Sequence, residues 1–418
     1  MVTDGESIVA AEVSATQADI ARLRHLSVLR HPLPWRYVLL RAGVIWLVTR
    51  LLNVVLTLAF TTGTATQRLW HWYFWDAGWY IHIAAAGYSS SFEPIRAGYF
   101  PLYPMLMHIG IQMFPHVDVM VIALAVSNLG TLAALVTVGL LAAQERRSTQ
   151  SALQAMLLLA ASPLAVFLGG AYSDSLLIAL VALALLMARR RQWAGAALAS
   201  ALATADRPFG MILMPALLIE YGSQHTWWWR LRTHAFTLAR RLTWMQLGMI
   251  VLAPSLTLGS FMLVEWQTYG DPLAYVHTQD KLFGHAFRWP WQTLILAFQQ
   301  LLKAPHWSYT TGHMFLDLLP VLFCLTVSLI YARRWPLSFT IYALASIAVC
   351  LTSPVISALG QFAVISDGRY MYGLVPVLLQ IAAWTQRWPR WLTATLLITS
   401  LTLQAILTVF ELRGGWLV

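Results

Sequence analysis

The sequence predicts an all-α, polytopic helical membrane protein with about eleven transmembrane helices. Of its 418 residues, 59% are apolar and only 11% are charged, whereas about 25% of residues are charged in an average soluble domain. The mean hydropathy is +0.64, and the chain carries 20 Trp, 15 Tyr and 17 Phe. This composition suits a protein whose surface mostly faces lipid, and it excludes an ordinary soluble enzyme.

The net charge of +10 does not indicate nucleic-acid binding. The basic residues form short runs between apolar stretches, which is the orientation signal of membrane loops and differs from a contiguous phosphate-binding face. The two cysteines, Cys324 and Cys350, lie in apolar segments and indicate neither a disulfide framework nor a metal site. We therefore expect no nucleic-acid partner.

Residues 1–36 are predicted to be a cytoplasmic tail, because this segment is too long and too acidic at its start for a cleaved signal peptide. Residues 37–418 then form a single multi-span domain whose first span is 37–60. The further stretches predicted to cross the membrane are 118–143, 152–170, 174–188, 193–206, 208–222, 244–264, 314–331, 337–352, 370–385 and 391–410. Several are shorter than the roughly 20 residues of a straight span, which predicts broken or tilted helices within 174–222.

The first outer loop, 61–117, is predicted to contain re-entrant or interfacial helices. Its segment 96–116 carries three prolines and is not expected to cross. With this assignment and the N-terminus inside, the arginine runs all fall on the inner side. Most carboxylates beyond the tail then lie at the outer face, where we expect any chemistry to occur.

The richest polar cluster is the aromatic segment 70–88, which contains Asp76. In one interpretation it is an interfacial aromatic belt, and Asp76 caps the helix that follows. In the other, Asp76 belongs to a functional site, because a carboxylate at the edge of hydrocarbon is costly and suits a general base. Helical spacing would then place Asp76 and Tyr80 on one face towards a common cavity.

Other polar clusters also have two interpretations. Ser173 or Asp174 could cap the next helix, or Asp174 could be a second carboxylate that binds sugar. Arg207 could form a local pair with Asp206 or hold an anionic headgroup. In the loop 265–292, Gln279 and Lys281 are either ligand contacts or part of a solvated helix.

Two further arginines need an explanation. Arg369 could extend outward to water, or it could join Arg207 and Lys281 in neutralising a lipid phosphate. Arg50 lies in the middle of the first span and requires a partner or a polar cavity.

The motifs, in this order, resemble those of the PIG-V-like mannosyltransferases, relatives of the enzyme that adds the second mannose to the GPI anchor, within the GT-C class of glycosyltransferases. The matching segments are 74–80 (FWDAGWY), 87–88 (GY), 100–104 (FPLYP), 162–163 (SP), 172–175 (YSDS), 270–273 (GDPL) with Gln279, and 369–370 (RY). The segment 206–209 (DRPF) departs from the pattern, because many relatives are expected to carry Ser or Thr near the arginine.

The resemblance implies a GT-C fold and a membrane enzyme that transfers a sugar, typically mannose, from a polyprenyl or dolichyl phosphate. The acceptor would be a glycolipid, a polymer or a protein on the non-cytoplasmic side of a bacterial plasma membrane, or of the ER membrane in a eukaryote. In this class the acidic residue of the first outer loop is the catalytic base, a role that falls on Asp76.

Residues and resemblance together predict transfer with inversion. Substrate contacts are expected from Trp75, Trp79, Tyr80, Tyr172, Asp174 and Gln279, and donor-phosphate contacts from Arg369, Lys281 and Arg207. No cofactor is expected, and no metal is required because the leaving group is a single phosphate. The alternative is a transporter or flippase, which would favour paired broken helices and ionisable groups near the bilayer midplane.

Overall fold

The computed structural model describes residues 32–89, 94–225, 238–305, 308–356 and 362–415. Within these ranges the chain is helical, without any strand, and a lone β-bridge joins His285 to Val355. The prediction of an all-α membrane protein is therefore confirmed. Residues 1–31 of the predicted tail lie outside the described residues, so the domain assignment stays a prediction.

The α-helices, numbered in chain order, connect through short loops and four 3₁₀ helices. They are α1 (Trp35–Phe60), α2 (Ala65–Leu69), α3 (Asp76–Ala86), α4 (Leu102–Met113), α5 (Val119–Arg146), α6 (Thr149–Ala161), α7 (Asp174–Arg189), α8 (Trp193–Asp206), α9 (Leu213–His225), α10 (Leu238–Tyr269), α11 (Ala274–Lys281), α12 (Pro290–Lys303), α13 (Tyr309–Tyr331), α14 (Leu337–Thr352), α15 (Asp367–Met371), α16 (Val375–Thr385) and α17 (Arg390–Leu412). The 3₁₀ helices are Trp70–Trp72, Pro94–Gly98, Pro163–Leu168 and Pro208–Ile212.

Among the described residues, five helices are long and apolar enough to cross a membrane. They are α1, α5, Thr243–Tyr269 of α10, Thr311–Tyr331 of α13, and α17. The helices α6, α14 and α16 are apolar but shorter. The predicted number of eleven spans therefore stays a prediction.

Two predicted spans, 152–170 and 370–385, are wrong as single helices, and a third, 208–222, is broken, as predicted for the short segments within 174–222. In 152–170, α6 ends at Ala161 and a 3₁₀ helix follows, since Pro163 disfavours helical geometry at Ser162. In 208–222, the 3₁₀ helix Pro208–Ile212 precedes α9. In 370–385, α15 ends at Met371 and α16 begins at Val375. The proline-rich segment 96–116 contains α4, whose 12 residues are too few for a straight span.

The helix α7 lies at the centre of the bundle and is fixed at both ends. It packs against α5 and α8, and α8 packs against α10 through small buried residues that allow close approach. At its C-terminal end, Arg189 forms ion pairs with Glu145 (2.6 Å) and Glu220 (2.8 Å). At its N-terminal end the Ser175 hydroxyl donates to the Ser127 carbonyl (2.8 Å). The first residue of α7, Asp174, is thereby held in place.

The expectation that Arg50 needs a partner is confirmed. Its Nη1 donates to the Asn128 side chain and, at 2.9 Å, to the carbonyl of Leu168. These bonds tie α1 to α5 and to the 3₁₀ helix Pro163–Leu168. Arg50 is therefore a structural residue of the bundle.

Candidate active site

A cavity of about 500 Å³ lies between the first outer loop, the N-terminal region of α7 and the segment before α16. The lining residues come from many parts of the chain, and they are mainly aromatic and charged. The polar and aromatic ones are Trp75, Asp76, Trp79, Tyr80, Tyr99, Phe100, Phe167, Tyr172, Asp206, Arg207, Phe209, Tyr275, Gln279, Phe283, His285, Ser353, Ser366, Asp367, Arg369, Tyr370 and Glu411.

Asp76 is the first residue of α3 and lies on this cavity, together with Tyr80 one turn later. Its Oδ1 accepts a hydrogen bond from the Tyr99 hydroxyl (3.1 Å), and its Oδ2 accepts from Arg369 Nη1 (2.6 Å). Burial, and then the Asp76 charge, raise the pKa of Tyr99 far above its usual value, so the phenol stays a donor. The Asp76 side chain is 30% exposed, in contrast to its buried partner Arg369.

Asp174 is a buried carboxylate that binds both arginines of the site. It accepts from Arg369 through Nε (2.9 Å) and Nη2 (2.6 Å), and from Arg207 Nη2 (2.8 Å). Ser173 occupies the N-cap position of α7, as one interpretation predicted, but its side chain makes no capping hydrogen bond. The Ser173 hydroxyl instead accepts from Arg207 Nε (3.0 Å) and contacts the Tyr80 hydroxyl (3.2 Å).

Two aromatic rings and two carboxylates hold the Arg369 guanidinium in place. Its guanidinium lies 4.5 Å from the ring centroid of Phe167 and 4.7 Å from that of Tyr172, which are favourable cation–π distances. Burial alone would lower the pKa of Arg369, but Asp174 and Asp76 raise it well above its usual value, so the group stays charged.

The backbone that carries Arg369 is fixed by its neighbour in sequence. The amide of Gly368 donates to Asp317 of α13 at 2.9 Å. A Cβ at this glycine would lie 2.2 Å from the Leu316 carbonyl oxygen. No other residue type therefore fits without a shift of the backbone beside Arg369.

Arg207 is the second guanidinium of the site. The predicted local pair with Asp206 is wrong: Arg207 pairs with Asp174, and Asp206 is buried at the cavity without an ion pair among the described residues. The Arg207 Nη1 atom is buried and has no hydrogen-bond partner within the described ranges. Two guanidiniums thus share one buried carboxylate, and one of them has an unused donor.

The structure brings most of the predicted site residues to one place. Trp75, Asp76, Trp79, Tyr80, Tyr172, Gln279, Arg207 and Arg369 all line the cavity, and Asp174 holds both arginines. Lys281 is the exception: it is exposed and does not line the cavity. It lies two positions after Gln279 on α11, about 200° further around the helix axis, and so on another face.

Several cavity residues are not singled out by the sequence analysis, among them Tyr99, His285 and Glu411. Glu411 carried a usable signal, because it is a carboxylate next to the apolar stretch 391–410. Within the described parts of the chain, no three His, Cys, Asp or Glu side chains are grouped so that they could hold a metal ion. The predictions about metal and cofactors are not tested by this arrangement.

The fold is that of an integral membrane protein, and its cavity is charged and walled by aromatic residues. The sequence model of the family described as Mannosyltransferase (PIG-V) matches residues 50–300, more than half of the chain. The chain therefore belongs to the PIG-V mannosyltransferase family. The matched region includes Asp76, Asp174 and Arg207 but neither Arg369 nor Glu411.

Solved structures with a similar arrangement include the oligosaccharyltransferase of Archaeoglobus fulgidus. A crystal structure with a tethered acceptor peptide has 12% identity and a TM-score of 0.45, covering 90% of this chain and 55% of that one. A second structure, of the archaeal oligosaccharyltransferase AglB from Archaeoglobus fulgidus in complex with an inhibitory peptide and a dolichol-phosphate, has 11% identity and a TM-score of 0.40. The match covers 89% of this chain and 55% of that one. The chain thus spans about half the length of these proteins. No curated protein matches the chain in sequence.

Proposed function

We propose that the protein transfers mannose from a polyprenyl phosphate to a glycolipid, polymer or protein acceptor at the outer membrane face, with inversion at the anomeric carbon. The observation that carries this proposal is the array Asp76–Arg369–Asp174 at the cavity wall. In this array, the guanidinium of Arg369 pairs with the partly exposed carboxylate of Asp76. The buried carboxylate of Asp174 fixes the other edge of the guanidinium. Such an array provides a base and an anion-binding group in fixed relative positions.

Arg369 and Arg207 are the proposed donor-phosphate residues. Asp174 binds Nε and Nη2 of Arg369 and Nη2 of Arg207. Nη1 of Arg369 already donates one N–H to Asp76 and has a second N–H for another acceptor. Arg207 Nη1 is buried and has no partner among the described residues. A phosphate oxygen would satisfy it with a strong, charge-assisted hydrogen bond. Lys281, predicted earlier as a third phosphate contact, is left out of this proposal because it lies outside the cavity.

Asp76 is the proposed general base. An acceptor hydroxyl attacks the anomeric carbon, its proton passes to Asp76, and the bond from that carbon to the phosphate oxygen breaks. The carboxylate loses one negative charge as the departing lipid phosphate gains one. Total charge beside the guanidiniums therefore stays constant during transfer, which favours reaction in a site shielded from water.

The aromatic wall is proposed to hold the sugar. Trp75, Trp79 and Tyr80 surround Asp76 at the cavity, and the rings of Trp79 and Tyr99 are stacked with centroids 6.5 Å apart. Flat aromatic surfaces suit the apolar faces of a hexose and keep water away from the reacting carbon. Gln279 of α11 adds a neutral hydrogen-bonding group to the cavity wall.

The proposed location is a bacterial plasma membrane, with the N-terminus in the cytoplasm and the cavity open to the outer face. This orientation is supported by the arginine runs, which fall on one side of the membrane when the cavity is placed outside. The donor then enters from the outer leaflet.

The function is tested by incubating the purified protein in lipid nanodiscs with radiolabelled polyprenyl phosphate mannose and a glycolipid extract as acceptor. We expect labelled product and a matching amount of free polyprenyl phosphate. GDP-mannose should not replace the lipid donor. A flippase would release no lipid phosphate, so an unchanged donor, or transfer from GDP-mannose alone, would contradict the proposal.

A further inference from the structure

Glu411 is a buried carboxylate on the cavity that the proposed reaction does not use. It lies in the last turn of α17 and is 1% exposed. Its Oε1 accepts a hydrogen bond from the Tyr172 hydroxyl. Its Oε2 is buried, and no hydrogen-bond donor among the described residues reaches it. An unsatisfied carboxylate oxygen is costly in a folded protein, so this atom is suited to a donor group that arrives with a ligand.

Tyr172 connects Glu411 to the proposed phosphate site. Its ring centroid lies 4.7 Å from the Arg369 guanidinium, and its hydroxyl contacts Glu411. Glu411 is therefore separated from the phosphate-binding group by a single tyrosine side chain. In a sugar phosphate, the hydroxyl groups of the hexose lie about as far from the phosphate as one side chain is long. A donor whose phosphate is bound to Arg369 can therefore place a hydroxyl at Glu411.

The end of α17 is fixed against the segment that carries Asp76. His71 Nδ1 contacts the Leu412 carbonyl at 2.9 Å, and Trp75 Nε1 donates to the Gly415 carbonyl at 3.4 Å. Glu411 is thus held on the same wall as the proposed base. It lies outside residues 50–300, so the family match assigns it no role.

We propose that Glu411 binds the sugar of the donor, with Oε2 accepting a hydrogen bond from one hydroxyl of the transferred hexose. This inference rests on the proposed function, because it places the donor phosphate on Arg369. Tyr172 holds the carboxylate in one orientation, so the bound hydroxyl is selected by its position on the ring. When a sugar lacks a hydroxyl at that position, the buried carboxylate oxygen is left without a hydrogen-bond partner. The contact therefore discriminates strongly between sugars.

The test compares the binding of two lipids, polyprenyl phosphate mannose and polyprenyl phosphate, in nanodiscs. In E411Q we expect the Kd of the mannosylated lipid to rise roughly tenfold to a hundredfold, the range for a hydrogen bond to a charged group. The Kd of the bare lipid phosphate should stay nearly unchanged, because that lipid carries no sugar hydroxyl that could donate to Oε2. The matched control is T408V, one turn earlier on α17 and equally buried, which should change neither value.

Equal weakening of both lipids in E411Q would mean a structural role, and unchanged binding of both would remove Glu411 from the site. Either result overturns the inference and leaves the proposed function intact. A wild-type protein that binds neither lipid overturns the proposed donor and, with it, this assignment.

A second measurement on the wild-type protein covers the case in which E411Q does not fold. Among donor analogues that each lack one mannose hydroxyl, one should bind roughly tenfold more weakly or worse, because the carboxylate loses its partner, and loss of a hydroxyl that faces the neutral Gln279 should cost less. Equal affinity for every analogue would overturn the proposal.

Discussion

Replacement of Asp76 by Asn is expected to lower the rate of sugar transfer by roughly 10²–10⁴-fold, the usual contribution of a general base. Asn keeps one oxygen that can accept from Arg369, and its NH2 group can donate to the Tyr99 hydroxyl, but it cannot take up the acceptor proton. Because Asp174 still holds Arg369, the protein should fold and still bind polyprenyl phosphate mannose. The measurement is the initial rate of polyprenyl phosphate release, together with donor Kd and thermal unfolding.

The control for this variant is D280N, which removes an exposed carboxylate of an outer loop that does not line the cavity. Its rate should equal that of the wild-type protein. A D76N protein that transfers mannose at nearly the wild-type rate would show that Asp76 is not the base. The role would then have to be sought among the other titratable residues of the cavity, of which His285 is one.

Replacement of Arg369 by Gln is expected to have the second large effect, and its signature differs from that of D76N. The variant should bind both polyprenyl phosphate and its mannosylated form more weakly, because the lost group faces the phosphate. We expect kcat/KM for the donor to fall by roughly 10²–10³-fold or more, as for the removal of one preorganised donor at a developing charge. Binding isotherms for the two lipids and steady-state kinetics provide the measurement.

R369Q should retain its fold, because Arg207 still pairs with the buried Asp174 at 2.8 Å. R369K tests the geometry: it keeps the charge but loses the planar fork that holds Asp174 and Asp76 at once, so it should recover only part of the activity. The matched control is R413Q, an exposed arginine next to the end of α17. Native donor affinity in R369Q would contradict the assigned role.

The candidate base could be found from the sequence because its signal is local. Asp76 stands out as a charged residue within an aromatic segment near the end of a span, and the spacing to Tyr80 places both on one helical face. The same argument applies to Glu411, which was overlooked because it is isolated from any motif and adjoins the last apolar stretch. A buried carboxylate beside a span is informative wherever it occurs.

The meeting of Asp174, Arg207 and Arg369 could not be derived from the sequence. Arg207 is 33 positions and Arg369 is 195 positions from Asp174 in the sequence. A single sequence contains no information about which distant residues pair. From the sequence, the adjacent Asp206 is one of the two partners open to Arg207, the other being an anionic headgroup. Lys281 was assigned to the phosphate because it is a cation in an outer loop, although the short helix α11 directs neighbouring residues to different faces.

Helix boundaries were predictable where proline chemistry acts locally. Pro163 and Pro208 interrupt their segments, as the restricted backbone before and at proline requires. Hydropathy alone does not detect the break at Pro163, because apolar composition continues across it, whereas the predicted span 208–222 already begins at Pro208. The number of helices that cross the membrane depends on tilt and on burial within the bundle, which composition does not encode.

The most direct test of the central claim is a structure of the D76N protein with polyprenyl phosphate mannose bound. It should show the donor phosphate on Nη1 of Arg369 and Nη1 of Arg207, with the sugar in the aromatic cavity. The face of the anomeric carbon opposite the phosphate should be turned towards residue 76. A donor phosphate bound away from both arginines, or a sugar outside this cavity, would contradict the account.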